Sequence, residues 1–241
     1  MKRIPCDKKV VLFGELMMRL STKHHERIVQ AREFDVIYSG AEANLGVALA
    51  AFGGESFMVS SVPDNAVGQA CLNYLKQFDL NLQHVRKNGF RLGIYFVETG
   101  AAQRPSTFLY NRKGSSITEL RPGDIDWDRI FADKHWFHFT GITAALSQNC
   151  AKMCEQACIT AQRLGVPQPI AQPQPRGDEH LVVAAATGVD FLAHVAEALD
   201  QHRLDGGVHV LEALVELEAS GGDLGVEGGQ FRLDRCQLSG R

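Results

Sequence analysis

The chain has no stretch of 18 consecutive apolar residues, so its sequence predicts no membrane-spanning helix. Met1-Lys2-Arg3 is followed by Pro, Asp and two lysines rather than by an apolar segment, so we expect no secretory signal. A net charge of only −3 over 241 residues excludes the broad basic field that draws proteins to nucleic acid or to membrane surfaces. We therefore expect a cytoplasmic protein whose partners are neither nucleic acid nor membrane.

The six cysteines lack the pattern of a disulfide framework. Cys150, Cys154 and Cys158 are spaced four apart on a predicted helix, so their side chains share one face. A metal site would need a further ligand and a different geometry, whereas a buried helix face uses cysteine as a small apolar residue. We adopt the second interpretation and predict no metal site. The isolated histidines are interpreted as surface or packing residues for the same reason: His24, His25, His135 and His138.

Strands and helices alternate along the first two thirds of the chain. Strands are predicted at 9–13, 34–38, 56–62, 93–99, 107–111 and 136–139, and helices at 41–52, from Asp64 or Asn65 to Gln77, and at 147–164. This alternation predicts an α/β fold with a mostly parallel sheet. The additional strand pair predicts a small second β layer over one edge of that sheet.

The composition changes at Pro167. Pro167 is the first of four prolines within nine residues, and 167–241 contain no Lys, Asn, Tyr, Trp or Met. That segment has a net charge of −7, against +4 for residues 1–166. We therefore predict a boundary between 1–166 and a Pro/Gly-rich, partly helical tail at 167–241.

Several polar residues before the boundary suit binding of a polyol or a sugar acid. Gly40 precedes a helix whose free N–H groups could face a ligand, and Asn44 could hydrogen-bond to hydroxyls. Tyr95 and Tyr110 lie on predicted neighbouring strands, and Arg112 shares a strand face with Tyr110. An arginine binds carboxylates through two parallel hydrogen bonds. The alternatives are a structural glycine, half-buried tyrosines and a solvated arginine.

Glu15 and Arg19 follow the first strand, at the end of the sheet where open α/β folds form a cleft. They are either substrate contacts or a salt bridge. Arg104, in the turn between two predicted strands, is a second candidate cation for a ligand, but we interpret it as a loop residue.

Five strings occur in the order and at the spacing of one protein family: GELMMRL from residue 14, YSGAEAN from 38, LGIYF from 92, QRPS from 103 and FTGITAAL from 139. Residues 8–166 therefore resemble the ribokinase-like (PfkB-type) carbohydrate kinases, and within them the 2-keto-3-deoxygluconate kinases. The resemblance implies a Rossmann-like α/β domain with a small β lid, of which this chain carries the N-terminal half. It also implies ATP and Mg²⁺ as cofactors, a small sugar acid as substrate, and a possible homo-oligomer.

The same resemblance assigns roles to six residues. Gly40 and Asn44 would touch the sugar acid, Tyr95 and Tyr110 would contact it from the lid, and Arg112 would pair with its carboxylate. Ile142 would lie at the floor of the pocket.

Two strings that the family should show after residue 166 are missing from this sequence. They are Asp-x-Asn-x-Arg and Asp-Thr-x-Gly-Ala-Gly-Asp, the second of which carries the catalytic base and the anion hole. Gly221-Gly222-Asp223 is too close to the preceding motifs to replace it. No catalytic residue is therefore assigned. Three hypotheses remain: a sugar kinase, a truncated or frameshifted remnant without catalysis, and an interaction module whose acidic helices at 180–219 bind a partner.

Overall fold

The computed structural model describes residues 8–167, 172–173 and 183–184. Ten strands, five α-helices and one 3₁₀ turn occur within these residues. The strands are β1 (Lys9–Phe13), β2 (Met17–Thr22), β3 (Phe34–Ser39), β4 (Glu55–Val62), β5 (Asn81–Lys87), β6 (Gly93–Glu98), β7 (Thr107–Asn111), β8 (Trp136–His138), β9 (Gln172–Pro173) and β10 (Val183–Ala184). The helices are α1 (Ala41–Ala51), α2 (Ala66–Lys76), α3 (Trp127–Phe131), α4 (Gly141–Ala145) and α5 (Gln148–Leu164).

A four-stranded parallel sheet in the order β5-β4-β1-β8 forms the centre of the fold. Leu12 of β1 aligns with Met58 of β4 on one side and with His138 of β8 on the other. All three side chains are buried. The uninterrupted apolar run of β1 is explained by this position, because a central parallel strand is covered on both faces. The predicted parallel α/β sheet is confirmed.

A second sheet has the order β3-β2-β6-β7 and constitutes the small β layer that the sequence predicted. β2 runs parallel to β6 and antiparallel to β3, while β6 and β7 are antiparallel. Tyr95 of β6 lies opposite Arg19 of β2 and Tyr110 of β7. We call this sheet the lid.

The core that packs against the central sheet combines aromatic side chains with the small side chains of α5. The Trp127 ring lies 5.3 Å from that of Phe13 and 5.5 Å from that of Phe131. Helix α5 presents Cys150 and Cys154 to this cluster, and both are fully buried free thiols. The interpretation of the cysteine stripe as a buried helix face is confirmed for these two, whereas Cys158 is only partly buried.

Local capping explains where the helices begin and end. The Asn65 side chain accepts hydrogen bonds from Val67 N and Gly68 N, so Asn65 rather than Asp64 caps α2. Ser147 caps α5 by accepting from Cys150 N, as predicted, and Gly165 ends that helix with a left-handed φ of 69°. The chain then returns beside β8, where Phe137 N donates to Pro167 O at 2.9 Å.

The sequence interpretation missed β2 and β5 as strands and α4 as a helix. β2 and β5 are mostly half-buried, so neither shows the strong apolar run or the clean alternation that marks a strand. α4 has only five residues. Within the described residues, no helix has the length and apolarity needed to cross a bilayer.

Candidate substrate-binding site

An ion pair links the loop after β1 to the end of β7. The Nε atom of Arg112 lies 2.8 Å from Oε2 of Glu15. Glu15 is only 3% exposed, whereas the Arg112 side chain is 26% exposed and reaches the surface. Burial raises the pKa of the Glu15 carboxyl, and the Ser115 hydroxyl and the Arg112 guanidinium oppose that shift. Glu15 thus takes part in a salt bridge, and its partner in that bridge is Arg112 rather than Arg19. The Nε of Arg19 instead donates to Ser21.

Two tyrosines stack beside this pair. The rings of Tyr95 and Tyr110 are nearly parallel, with centroids 5.4 Å apart, and the Arg112 guanidinium lies 5.2 Å from the Tyr110 centroid. The hydroxyl groups of Tyr95 and Ser39 are 2.8 Å apart. Tyr95 is buried and Tyr110 is 55% exposed. Tyr110 can therefore meet a ligand directly, while Tyr95 supports it from below.

Gly40 lies at the junction between β3 and α1. Its φ of 171° is extended and imposes no strain, but a Cβ there would lie 2.2 Å from the main-chain oxygen of Glu15. The glycine is thus explained by the close approach of two backbone segments. Gly40 O accepts the first helical hydrogen bond from Asn44 N at 2.8 Å, which places the half-buried Asn44 one turn further along α1.

A cavity of about 680 Å³ opens between the end of the lid and the helices α4 and α5. It is lined by Arg112, Lys113, Gly114, Thr118, Ile142, Ala145, Leu146 and Ser147. One wall is therefore cationic, another is apolar, and two hydroxyls complete the lining. The volume lies in the range of small-molecule sites. Of the six predicted site residues, Arg112 and Ile142 line this cavity together, whereas Gly40, Asn44, Tyr95 and Tyr110 lie outside its lining.

A second buried carboxylate connects α1 to α4. Glu42 is 2% exposed, and its Oε1 accepts hydrogen bonds from Thr140 N at 2.9 Å, Thr140 Oγ1 at 2.7 Å and Thr143 Oγ1 at 3.0 Å. These bonds hold α4, which carries Ile142, against the helix that carries Gly40 and Asn44. Sequence reasoning gave Glu42 no role, because its partners lie about 100 residues away.

Arg91 was also missed, although it fixes the backbone on both sides of Arg112. Its Nη1 donates to Asn111 Oδ1 at 2.9 Å and to Lys113 O at 3.2 Å, and its Nη2 donates to Asn111 O at 3.1 Å. Arg104, by contrast, pairs with Glu98 and donates to His25 O, which confirms it as a loop residue.

The cavity does not fit a magnesium ion. Mg²⁺ prefers carboxylate and phosphate oxygens, and the lining contains no carboxylate. No cluster of three or more His, Cys, Asp or Glu side chains that could hold a metal occurs in the part of the chain that the structure describes. Gly221-Gly222-Asp223 and the acidic segment at 180–219 lie outside the described residues.

Curated proteins and solved structures resemble this chain over about two thirds of its length. The 2-dehydro-3-deoxygalactonokinase of Haloferax volcanii is 32% identical over 157 residues, which are 65% of this chain and 49% of that protein. The 2-dehydro-3-deoxygluconokinase of Thermoproteus tenax is 28% identical over 64% of this chain and 48% of its own length. The crystal structure of 2-dehydro-3-deoxygluconokinase from Thermotoga maritima is 42% identical and superposes with a TM-score of 0.65 over 67% of this chain and 49% of that one.

The chain spans about half the length of these relatives. The model of the pfkB family of carbohydrate kinases matches residues 7–199, so the family likeness continues past Val166, where the sequence placed a boundary. On that match and on the fold, the chain belongs to the pfkB family of carbohydrate kinases.

Proposed function

We propose that this chain binds a 2-keto-3-deoxy sugar acid, with 2-keto-3-deoxygluconate as the leading candidate, in the cavity beside Arg112. The observation that carries the proposal is the Arg112 guanidinium, which lines that cavity while Glu15, Tyr110 and the backbone around it hold it in place. A fixed guanidinium is suited to a carboxylate, because its planar N–H fork matches the two oxygens. Similarity to kinases of 2-keto-3-deoxy sugar acids supports the same substrate class.

The described residues divide the binding task between them. Arg112 binds the carboxylate, and Lys113 adds positive charge to the same wall. Tyr110 offers an exposed ring to the carbon skeleton of the sugar acid, which is the role that the family resemblance implies for it. Ile142 forms the apolar floor. Gly40 and Asn44 lie at the start of α1, outside the cavity lining, where Asn44 would bond to sugar hydroxyls that extend beyond the cavity. Together these groups orient the substrate and exclude water from its carboxylate end.

The reaction of the family is transfer of the ATP γ-phosphate to a sugar hydroxyl. We propose that the 241-residue chain by itself carries out this step only at a negligible rate. The string that supplies the base and the anion hole in the family is missing from its sequence. A general base contributes about 10²- to 10⁴-fold, and each well-placed anion donor about 10²- to 10³-fold. Phosphoryl transfer depends almost wholly on such positioning, so binding without turnover is the expected behaviour.

Calorimetric titration of the purified chain tests the binding step. The ligands are 2-keto-3-deoxygluconate and, as a neutral sugar of similar size, fructose. We expect the acid to bind more tightly than fructose, and Arg112→Lys to remove most of that preference because lysine lacks the planar fork. Arg163→Lys on the exposed face of α5 is the matched control and should change nothing.

Coupled detection of ADP release tests the catalytic step. No release above background with ATP, Mg²⁺ and the sugar acid is expected. Brisk release that depends on the sugar acid would overturn the proposed lack of turnover. Equal affinity for the acid and for fructose would overturn the binding proposal.

A further inference from the structure

We infer that Glu15 is a positioning residue for substrate recognition: it fixes the Arg112 guanidinium so that its two terminal nitrogens face the cavity and select a carboxylate. The inference rests on the proposed function and adds to it a residue that never touches the ligand.

The first observation is which nitrogens of the Arg112 guanidinium already have partners in the protein. Among the residues that the structure describes, the polar contacts of the Arg112 guanidinium involve Nε. It forms an ion pair with Glu15 Oε2 at 2.8 Å and donates a hydrogen bond to Met17 Sδ at 3.3 Å. The side chain also lines the cavity. Because the inner nitrogen is engaged, the outer pair Nη1 and Nη2 stays available for a bidentate contact.

The second observation is that Glu15 is itself rigidly enclosed. A Cβ on Gly93 would lie 2.4 Å from Oε1 of Glu15, so β6 packs directly against the carboxylate. The main-chain oxygen of Glu15 meets Gly40 just as closely. The Gly93 contact confines the carboxylate on one side and the Gly40 contact holds the Glu15 backbone, so Glu15 provides a well-placed partner for Arg112.

The third observation is that the other sides of Arg112 are braced as well. The Tyr110 ring lies against its guanidinium at 5.2 Å, and Arg91 holds the carbonyls of Asn111 and Lys113 on either side of its backbone. An unrestrained arginine side chain has rotamer entropy, part of which a ligand must otherwise remove on binding. Removing it before the ligand arrives is the physical benefit of the arrangement.

The charge of the pair also matters for selectivity. Glu15 balances the positive charge of Arg112, so the general attraction for anions on this wall comes from Lys113, while Arg112 contributes the direction of its donors. What remains is a directional demand for a planar, two-oxygen group. This arrangement favours a carboxylate over a halide or a neutral sugar of the same size.

The test is a double-mutant cycle between Glu15→Gln and Arg112→Lys, read as the dissociation constant for 2-keto-3-deoxygluconate. If Glu15 acts through Arg112, Glu15→Gln should weaken binding about tenfold in the wild-type chain and by less than about twofold in the Arg112→Lys background. Glu98→Gln is the matched control, because it breaks another carboxylate–arginine pair of the lid, that with Arg104. It should leave the dissociation constant unchanged.

A second measurement does not depend on the ligand. In the wild-type chain the Nε–H of Arg112 donates to Met17 Sδ at 3.3 Å, and Glu15 Oε2 lies beside it as the ion-pair partner. Its resonance, assigned by its loss in Arg112→Lys, should exchange slowly with water; in Glu15→Gln, where the ion pair no longer holds the guanidinium, it should exchange faster. Glu15→Asp, which is one methylene too short to reach Nε, should behave like Glu15→Gln and replaces it if the glutamine variant does not fold.

The outcomes separate the two proposals. An equal effect of Glu15→Gln in both backgrounds, an equal effect of Glu98→Gln, or unchanged Nε–H exchange would overturn the positioning role alone. A wild-type chain that does not bind the sugar acid would overturn both the proposed function and this inference.

Discussion

Thr140 donates two hydrogen bonds to the same oxygen of Glu42, one from its backbone N at 2.9 Å and one from its hydroxyl at 2.7 Å. Thr143 adds a third at 3.0 Å. Glu42 belongs to the first turn of α1, and the threonines belong to the start of α4. One buried carboxylate thus joins α1 to α4, the helix that carries Ile142 of the cavity lining.

Replacing Glu42 should therefore destabilise the chain. Glu42→Ala leaves three donors without their acceptor, and we expect a loss of about 2–4 kcal/mol in the free energy of unfolding. Urea denaturation followed by circular dichroism measures it. Glu155→Ala, on the exposed face of α5, is the control and should stay within about 0.5 kcal/mol. Similar losses in both variants would contradict an anchoring role for Glu42.

Gly40 should not tolerate a side chain. A methyl group there would lie 2.2 Å from the backbone oxygen of Glu15, so the β3–α1 junction must shift. We expect Gly40→Ala to cost about 1–3 kcal/mol, as overpacking does, and to abolish sugar-acid binding. In Gly54→Ala the nearest atom would be 3.3 Å away, so that variant should fold and bind normally. Thermal melting of both variants measures the change in stability, and calorimetric titration measures the change in sugar-acid binding.

The N-terminal cap of α2 is formed by Asn65 and not by its neighbour Asp64. Asn65 accepts from Val67 N and Gly68 N, both at 3.0 Å. Asn65→Ala should lower the free energy of unfolding by about 1 kcal/mol. Asp64→Ala should have little effect, since Asp64 is exposed and is not the cap. A larger effect of Asp64→Ala in urea denaturation would show that the cap is assigned to the wrong residue.

Replacing Glu15 by glutamine should affect stability and sugar-acid binding in opposite directions. Burial is the main cause of its raised pKa, so its ionised form disfavours the folded state, although Arg112 and Ser115 offset part of that cost. Because the pKa of Glu15 is raised in the folded state, its contribution to the free energy of unfolding is complete below the ordinary pKa of 4.5. That contribution is lost as pH rises through the raised pKa. Glu15→Gln, which mimics the protonated form, should therefore be at least as stable as the wild type at pH 7.

The stability difference between Glu15→Gln and the wild type should shrink as pH falls through the raised pKa of Glu15. Urea denaturation at a series of pH values measures it. The other titratable groups that act on Glu15 or respond to its charge are Glu42 on α1 and Cys150 on α5. Glu42→Gln is therefore the variant that checks whether the pH response belongs to Glu15. A Glu15→Gln variant that is markedly less stable at pH 7 contradicts the prediction.

The buried thiols should resist alkylation in the native chain. Burial raises the pKa of Cys71 to about 12 and that of Cys158 to about 11, and it also raises the pKa values of Cys150 and Cys154. Because only the thiolate reacts, iodoacetamide at pH 8 should leave Cys71, Cys150 and Cys154 unlabelled. Cys158, which is partly exposed, should react first among these four. Peptide mass spectrometry with and without urea gives the comparison; fast native labelling of Cys154 would show that α5 is not packed as described.

Local patterns were sufficient to predict most of the elements. β1 was predicted correctly because a central parallel strand needs an unbroken apolar run. The bounds of α5 followed from Ser147 and Gly165, whose capping preferences act within a single turn. β2 escaped prediction because its residues are only half-buried and its partners, β3 and β6, are supplied by distant segments.

The candidate site was predicted only in part, for the same physical reason. Ordered motifs indicated Arg112 and Ile142, and these do line one cavity. Nothing in the local sequence could indicate that Arg91 holds the backbone around Arg112, because long-range hydrogen bonds leave no periodic signal.

The sequence by itself therefore determined the family, the α/β class and the elements whose caps and apolar periods are local. Only the tertiary structure decided that Glu15 pairs with Arg112 rather than Arg19, and that Glu42 holds α4. Helix periodicity and capping are encoded within a few residues, so they can be read directly. The partner of a buried charge depends on which segments the sheet brings together, because the cost of burying that charge must be offset by whichever groups the fold places beside it.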